Sequence, residues 1–391
     1  MSALLRRMTG RDPSEAHRAS TPLELLVDLC FVVAVSRCAA ALHHQLAETH
    51  FAHGIATYLF IFWAIWWAWM NFTWFASSYD TDDAAYRALT FVQILGVLIL
   101  AASVTDAFAG REAGVAIGFL VMRLGLSGQY LRASFGDPDN VRSCRIIAIG
   151  LIVLQLGWIG RLALHGPVSL VFTAVLVAGE MTLPVAAGLL KRQRWHPGHI
   201  AERYSLLLLI VLGESILSAT NAIEEGVREV GVTADLVMIV LGSAALVFCL
   251  WWRYFDFPVD DALREDPSKV MVWGFGHYLV FAAIAALGAG IELVVDRLGS
   301  ATELTKVQTV ASVVVPTVVY VLVTSFLHRA TGTAIGATIG RSLTIAVLIA
   351  GLVLVAPLVS VPVVVFALGA LASVGVTASL VDQHRSPSGA T

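Results

Sequence analysis

The first long apolar run of the chain, STPLELLVDLCFVVAVSRCAAAL, carries three charges. Glu24 and Asp28 stand at i and i+4 and therefore share one helical face. Carboxylates on adjacent turns repel, which favours a shared proton or cation. Arg37 comes two and a half turns later, about 13 Å along the axis and near the opposite face. Its partner must belong to another helix. Other apolar runs hold Arg123, Glu180 and Glu214, and His277 opens the run WGFGHYLVF. A charge at mid-bilayer costs at least about 2.5–3.5 kcal/mol on insertion scales, so each needs a partner, a water cavity or a chemical role. The chemistry these types suggest is proton handling. The Glu24/Asp28 pair would exchange a proton, His277 would relay it, and Arg37 or Arg123 would tune Glu180 or Glu214 or hold an anion.

Two acidic turns follow Trp-Trp pairs: Asp80, Asp82 and Asp83 in SSYDTDD, and Asp256, Asp260 and Asp261 in YFDFPVDD. Such turns gather divalent cations against a phosphate, or they cap the helices that follow. The segment HHQLAETHFAH clusters His43, His44, His50 and His53, weak candidates for zinc or copper without a fixed-spacing motif, and HPGH (His196, His199) ranks no higher. Trp63, Trp66, Trp67, Trp69 and Trp74 read as an interfacial belt, with a stacked aromatic-binding site as the rival reading. Gly332, Gly336 and Gly340 have the spacing of a helix-packing face, and Gly213 beside Glu214 would let a helix approach. No GxGxxG, P-loop, HExxH or nucleophile elbow occurs, which argues against ATP use and common soluble catalysis. No cofactor is expected, and enzymatic activity is the less favoured class.

Composition sets the elements that must position these residues. Of 391 residues, 58% are hydrophobic and only 14% charged, and the mean hydropathy is +0.79. Soluble domains carry about 25% charged residues, so this chain has too little polar surface to face water and its main partner is the lipid bilayer. The net charge of −3 gives no reason to expect nucleic acid, and the four cysteines form no CxxC pair. Apolar runs long enough to cross about 30 Å of hydrocarbon fall at 22–42, 53–75, 88–109, 113–131, 146–164, 168–190, 204–221, 233–252, 272–294, 308–327, 341–357 and 360–380. The fold class is all-α, a polytopic integral membrane protein of about twelve transmembrane helices.

Lysine and arginine concentrate in alternate loops, on the side of Arg6, Arg7, Arg11 and Arg18. The positive-inside rule then puts both termini in the cytoplasm, across the cytoplasmic membrane. The expected organisation is a cytoplasmic segment 1–21, a first six-helix half 22–190, a basic linker 191–203, a second six-helix half 204–380 and a tail 381–391. An internal repeat supports the halves. WWAWMNFTWFASSYDTDDAAYR and WWRYFDFPVDDALR both run from a Trp-Trp pair through aromatic-Asp and Asp-Asp to arginine, and Gln93 and His277 follow at similar places. With six spans in each half, the repeat is parallel, as in transporter folds.

The segments HRASTPLELLVDLCFVVAVS, NFTWFASSYDTDDAAYRALTFVQ, ERYSLLLLIVLGESIL, WWRYFDF and WGFGHYLVFAAIAALGAG resemble the bacterial low-temperature-requirement A family. The resemblance runs from about residue 15 to about residue 295 and is weaker in the C-terminal third. It implies a polytopic membrane protein and a link to growth at low temperature. It marks Glu24, Asp28, Asn71, Asp80, Asp82, Asp83, Gln93, Glu202, Arg203, Gly213, Glu214, Ser215 and His277 as motif positions, and it supplies no substrate. The leading expectation is a secondary transporter or proton pathway lined by Glu24, Asp28, Arg37 and Glu214, acting on an unidentified small solute or ion. The rivals are an enzyme or lipid-handling protein at the cytoplasmic leaflet, built on the Asp-rich turns and His277, and a non-catalytic sensor or assembly factor. A homo-oligomer is left open.

Overall fold

The computed structural model describes residues 5–12, 15, 18–190, 195–257, 259–266, 268–299, 303–333 and 336–385. Part of the expected basic linker (191–194) and the end of the tail (386–391) lie outside the described residues. Among the described residues the secondary structure is helical. The helices are α1 Pro22–Ala47, α2 Phe51–Tyr79, α3 Ala84–Phe108, α4 Ala113–Gly136, α5 Val141–Arg161, α6 Gly166–Leu190, α7 Pro197–Val230 and α8 Ala234–Phe255. A short α9, Asp260–Glu265, precedes α10 Lys269–Asp296, α11 Lys306–Thr331, α12 Gly336–Val355 and α13 Val361–Arg385. Twelve helical stretches among the described residues are long and apolar enough to cross a membrane. The protein is a multi-pass membrane protein. The segment read as a linker extending to 203 is helical from Pro197, because α7 runs for 34 residues.

Side-chain chemistry sets the helix starts. Thr21 and Glu24 form a reciprocal cap on α1: the Glu24 N–H donates to Thr21 Oγ1 at 3.3 Å, and the Thr21 N–H donates to Glu24 Oε2 at 2.7 Å. Pro22 takes the first helical position, where its missing N–H leaves no bond unmade. Asp83 caps α3, His196 caps α7 through Nδ1 and Thr233 caps α8. The polarity of the faces is inverted relative to a water-soluble bundle. On α5, Ile149, Val153 and Leu156 are exposed along one stripe, while Gln155 is fully buried. Outward apolar and inward polar residues are what a hydrocarbon solvent selects.

The chain forms two compact units. Unit 1 comprises Met1–Cys38 and Thr57–Arg203, and unit 2 comprises Ala39–Ala56 and Tyr204–Thr391. In unit 1, α2 is a central helix, and its Trp67, Trp69, Phe72 and Phe75 are all buried. The aromatic residues of α2 read as an interfacial belt therefore form packing inside unit 1. In unit 2, α10 is the most enclosed span. Pro316 of α11 has no N–H for the Ser312 carbonyl, and α10 packs close there: a Cβ on Gly290 would stand 2.3 Å from the Ser312 oxygen. Likewise α8 and α13 touch through backbone, since a Cβ on Gly242 would lie 2.6 Å from the Val365 carbonyl oxygen. Gly332 and Gly340 do not serve the expected helix-packing face, and Gly213 meets no helix. Gly332 ends α11 in the left-handed conformation (φ 78°), and a Cβ on Gly340 or Gly213 would meet nothing within 4 Å.

These contacts predict that Gly242→Val lowers stability by about 1–3 kcal/mol or more, since the obstacle is backbone. Gly340→Ala should leave the melting temperature in detergent unchanged. Thermal unfolding of the two variants side by side checks this.

Candidate functional site

The first turns of α1 and α7 run parallel in unit 1 and are joined by two buried charged rungs. Asp28 Oδ1 accepts from Arg203 Nη2 at 2.6 Å and from Trp69 Nε1 at 2.7 Å. One turn earlier on both helices, Glu24 Oε1 lies 3.1 Å from His199 Nε2. The registers match because 24/28 and 199/203 are both i, i+4 pairs, which place each pair on one face. Glu24, Asp28, His199 and Arg203 are all no more than 1% exposed. The Glu24–His199 approach is close but not aligned as a hydrogen bond, and Asp28 Oδ2 has no hydrogen-bond partner.

From Glu24 the charges continue to the rim of the unit. Arg18 lies 3.7 Å from Glu24 and 3.7 Å from Asp80, and the half-exposed Arg11 lies 3.7 Å from Asp80. Arg18 also donates to the carbonyls of Ala76 and Ser77 at 2.7 and 2.6 Å, satisfying the last turn of α2. Burial and the neighbouring Glu24 charge raise the Asp80 carboxyl above its ordinary range, against the opposing pull of Arg18 and Arg11. Asp83 behaves oppositely. Burial works to raise it, but the Arg132 hydrogen bonds, the backbone N–H groups of Arg6 and Tyr86 and the Arg132 charge bring it to about 2. Asp82 pairs with Arg87 at 2.8 Å. All three acids of this turn are thus engaged with arginines, which argues against the expected cation-gathering role.

A second buried network joins α2, α4, α5 and α6. Glu180 Oε2 accepts from Arg123 Nη2 at 3.1 Å and Trp67 Nε1 at 2.9 Å, and its Oε1 accepts from Gln155 Nε2 at 3.0 Å. The Arg123 guanidinium lies 4.5 Å over the Phe119 ring.

The remaining sequence candidates are dispersed. Arg37 is exposed and donates to Thr105 Oγ1 at 3.3 Å rather than meeting an acid, as its opposite helical phase requires. In unit 2, Glu214 is half-buried beside exposed Gly213. His277 is fully buried and belongs to an aromatic cage, not to the carboxylates. Its Nδ1 donates to the Trp273 carbonyl at 2.6 Å, which leaves Nε2 to accept from the Tyr254 hydroxyl at 2.8 Å. The histidines that follow the first span meet acids: His43 lies 2.7 Å from Asp296, and His44 and His50 flank Glu48. Among the described residues no three His, Cys, Asp or Glu groups converge as a metal site. Asp256 follows the last turn of α8, and Asp260 and Asp261 begin α9. Sequence reasoning missed Arg18, which lies in a segment without apolar pattern, and His199, which it read only as a metal candidate.

The family model of the bacterial low temperature requirement A protein matches residues 19–380. An uncharacterized protein of Rhizobium meliloti is 26% identical over 304 residues, covering 72% of this chain and 70% of its own. No solved structure matches.

Two outcomes follow from the site. Glu180→Gln leaves Arg123 without a counter-charge and should cost about 3–5 kcal/mol, whereas Arg123→Met with Glu180→Leu should recover most of that loss, read by unfolding of each variant. Asp83 has a depressed folded-state value, so it contributes stability above its unfolded value near 4 that is lost as pH falls toward 2. The melting-temperature gap between wild type and Asp83→Asn should therefore be full at pH 7, narrow as pH falls below 4 and close only below pH 2.

Proposed function

The chain belongs to the bacterial low temperature requirement A family, and we propose that it is a proton-linked secondary transporter or proton pathway of the cytoplasmic membrane. Glu24 and Asp28 are its proton-exchange groups, His199 is the relay beside them, and both termini are cytoplasmic. The observation that carries this reading is the buried Glu24–His199 contact of 3.1 Å, linked through Arg18 to Asp80 at the rim. A carboxylate and an imidazole at that distance exchange a proton without large movement, and their shared surroundings are charged rather than apolar. Asp80 is the entry group in this scheme, because its raised carboxyl accepts a proton more readily than an ordinary aspartate. The leaflet-enzyme reading draws less support, since Asp80, Asp82 and Asp83 are already committed to arginines.

The scheme includes two six-helix halves of one pattern. Parallel first turns of α1 and α7 suit a first and a seventh span entering from the same side. The pairing of the second span with the sixth through Trp67 and Glu180 is matched by that of the eighth with the twelfth through Cys249 and Ser373. Parallel halves of this kind are a transporter architecture.

The test is proton flux in proteoliposomes under an imposed potential, followed with a trapped pH dye. Glu24→Gln with Asp28→Asn should abolish flux, His199→Gln should reduce it at least about tenfold, and Arg37→Gln should leave it unchanged. Full flux in the folded double variant would overturn the assignment.

A further inference from the structure

Among the described residues, the three buried arginines of unit 1 each lie within 4 Å of a carboxylate: Arg18 by Glu24, Arg123 by Glu180 and Arg203 by Asp28. Arg253 of unit 2, in the last turn of α8, has a different environment. Its guanidinium donates to Thr324 Oγ1 at 3.0 Å, Ser342 Oγ at 3.0 Å, Ser325 Oγ at 2.7 Å and the Val321 carbonyl at 3.4 Å. Those hydroxyls spend their own hydrogens on helix carbonyls, Thr324 on Tyr320, Ser325 on Val321 and Ser342 on Thr338. The cradle is therefore neutral. It fixes the guanidinium in place with one of its five N–H groups unspent, and the carboxylate that acts on it is that of Asp256, one residue past the end of α8.

The same guanidinium lines a cavity of about 40 Å³ between α8, α11, α12 and α13, together with Cys249, Asp256, Thr317, Arg341 and Ser342. A water needs roughly 10–15 Å³ on this measure, so the space takes a few waters or one small polyatomic ion. Two guanidiniums and one carboxylate line it, so cationic groups outnumber anionic ones within an apolar helix bundle, where buried charge is costly. A cation is repelled, and an apolar ligand would bury that charge further. A small anion with several acceptor oxygens removes the cost and uses the planar donor forks that suit carboxylate and phosphate geometry.

We propose that this cavity is an oxyanion-binding site, in which Arg253 and Arg341 hold the phosphate-type group of a free solute or of a lipid head. The assignment stands on the cavity and is independent of the proton reading of unit 1. Arg253, on α8, is held by residues of α11 and α12, so an anion bound there also ties those three helices together.

Equilibrium dialysis of the full chain, stripped of lipid in a neutral detergent, against labelled inorganic phosphate at pH 7 tests the site. Saturable binding at one site per chain is expected, with affinity at least about tenfold lower in Arg253→Gln. Arg341→Gln, which leaves the hydroxyl cradle of Arg253 intact, should show a similar loss and guards against misfolding of the first variant. Repeating the titration in phosphatidylcholine discs with and without phosphatidic acid separates the sources. Displacement of phosphate by the lipid identifies a head-group site, and unchanged binding identifies a free-solute site. Absence of saturable phosphate binding to folded wild type, together with no uptake of phosphatidic acid from the discs, would overturn the proposal. So would wild-type affinity in both arginine variants.

Discussion

The Asp28–Arg203 ion pair is the contact around which unit 1 is arranged. Both side chains are 0% exposed, and removing two such charges from water costs several kcal/mol apiece before their attraction is counted. The close geometry offsets part of that cost and Trp69 adds a second hydrogen bond to Oδ1, while Asp28 Oδ2 and Arg203 Nε and Nη1 make none. The first turn of α7 is thereby fixed against α1 in a parallel register. Every later feature of the site depends on that register. Glu24 and His199 meet because they lie one turn back on the same faces, and Glu202, next to Arg203, is then placed to accept from the Ser20 backbone N–H at 3.1 Å. The N-terminal segment follows from there, with Arg18, Arg11 and Arg6 reaching the carbonyls and acids at the ends of α2 and the start of α3.

The spans were legible in the sequence because the bilayer imposes a length and an apolar composition on each helix, and both can be counted. That Glu24, Asp28 and Glu180 would each need a partner was legible for a related reason, since a carboxylate in an apolar run needs a compensating group. The partners were not legible. Helical phase shows that Glu24 and Asp28 share a face and that Arg37 does not, but it does not say which helix comes to that face. Arg18 lies in a polar segment, and Arg203 at a point where the apolar run of α7 has not begun, so neither stood out by pattern. Arg253 was hidden similarly. The apolar run stops at Trp252, while α8 continues to Phe255, so the apolar pattern alone does not show that Arg253 belongs to a helix. Tryptophans and glycines misled because their types are ambiguous. Trp67 and Trp69 serve as buried donors to carboxylates, and Gly332 serves as a helix terminator.

Two buried histidines show how environment divides a residue type into distinct uses. His277 has both ring nitrogens committed, one to a carbonyl that can only accept and one to a hydroxyl, and aromatic rings surround it. A proton added to it would displace the Tyr254 hydrogen bond and place a charge among rings without a carboxylate nearby. His199 has neither ring nitrogen hydrogen-bonded and a carboxylate oxygen at 3.1 Å. The first arrangement fixes one tautomer and packs it; the second leaves proton exchange open.

Glu24 carries a further constraint that bears on its role. Its Oε2 belongs to the cap of α1 and accepts from the Thr21 N–H, while its Oε1 faces His199 and Arg18. The two oxygens therefore do separate work. A proton arriving on Oε1 removes the charge facing His199 and Arg18, yet the neutral carboxyl keeps Oε2 as an acceptor for the backbone. The helix start survives while the charge facing α7 changes. Asp28 lacks that division, because Oδ1 alone receives both Arg203 and Trp69. Protonation there would weaken the parallel register itself. In this arrangement a change of charge on Glu24 would spare the start of α1, whereas the charge state of Asp28 is coupled to the position of α7.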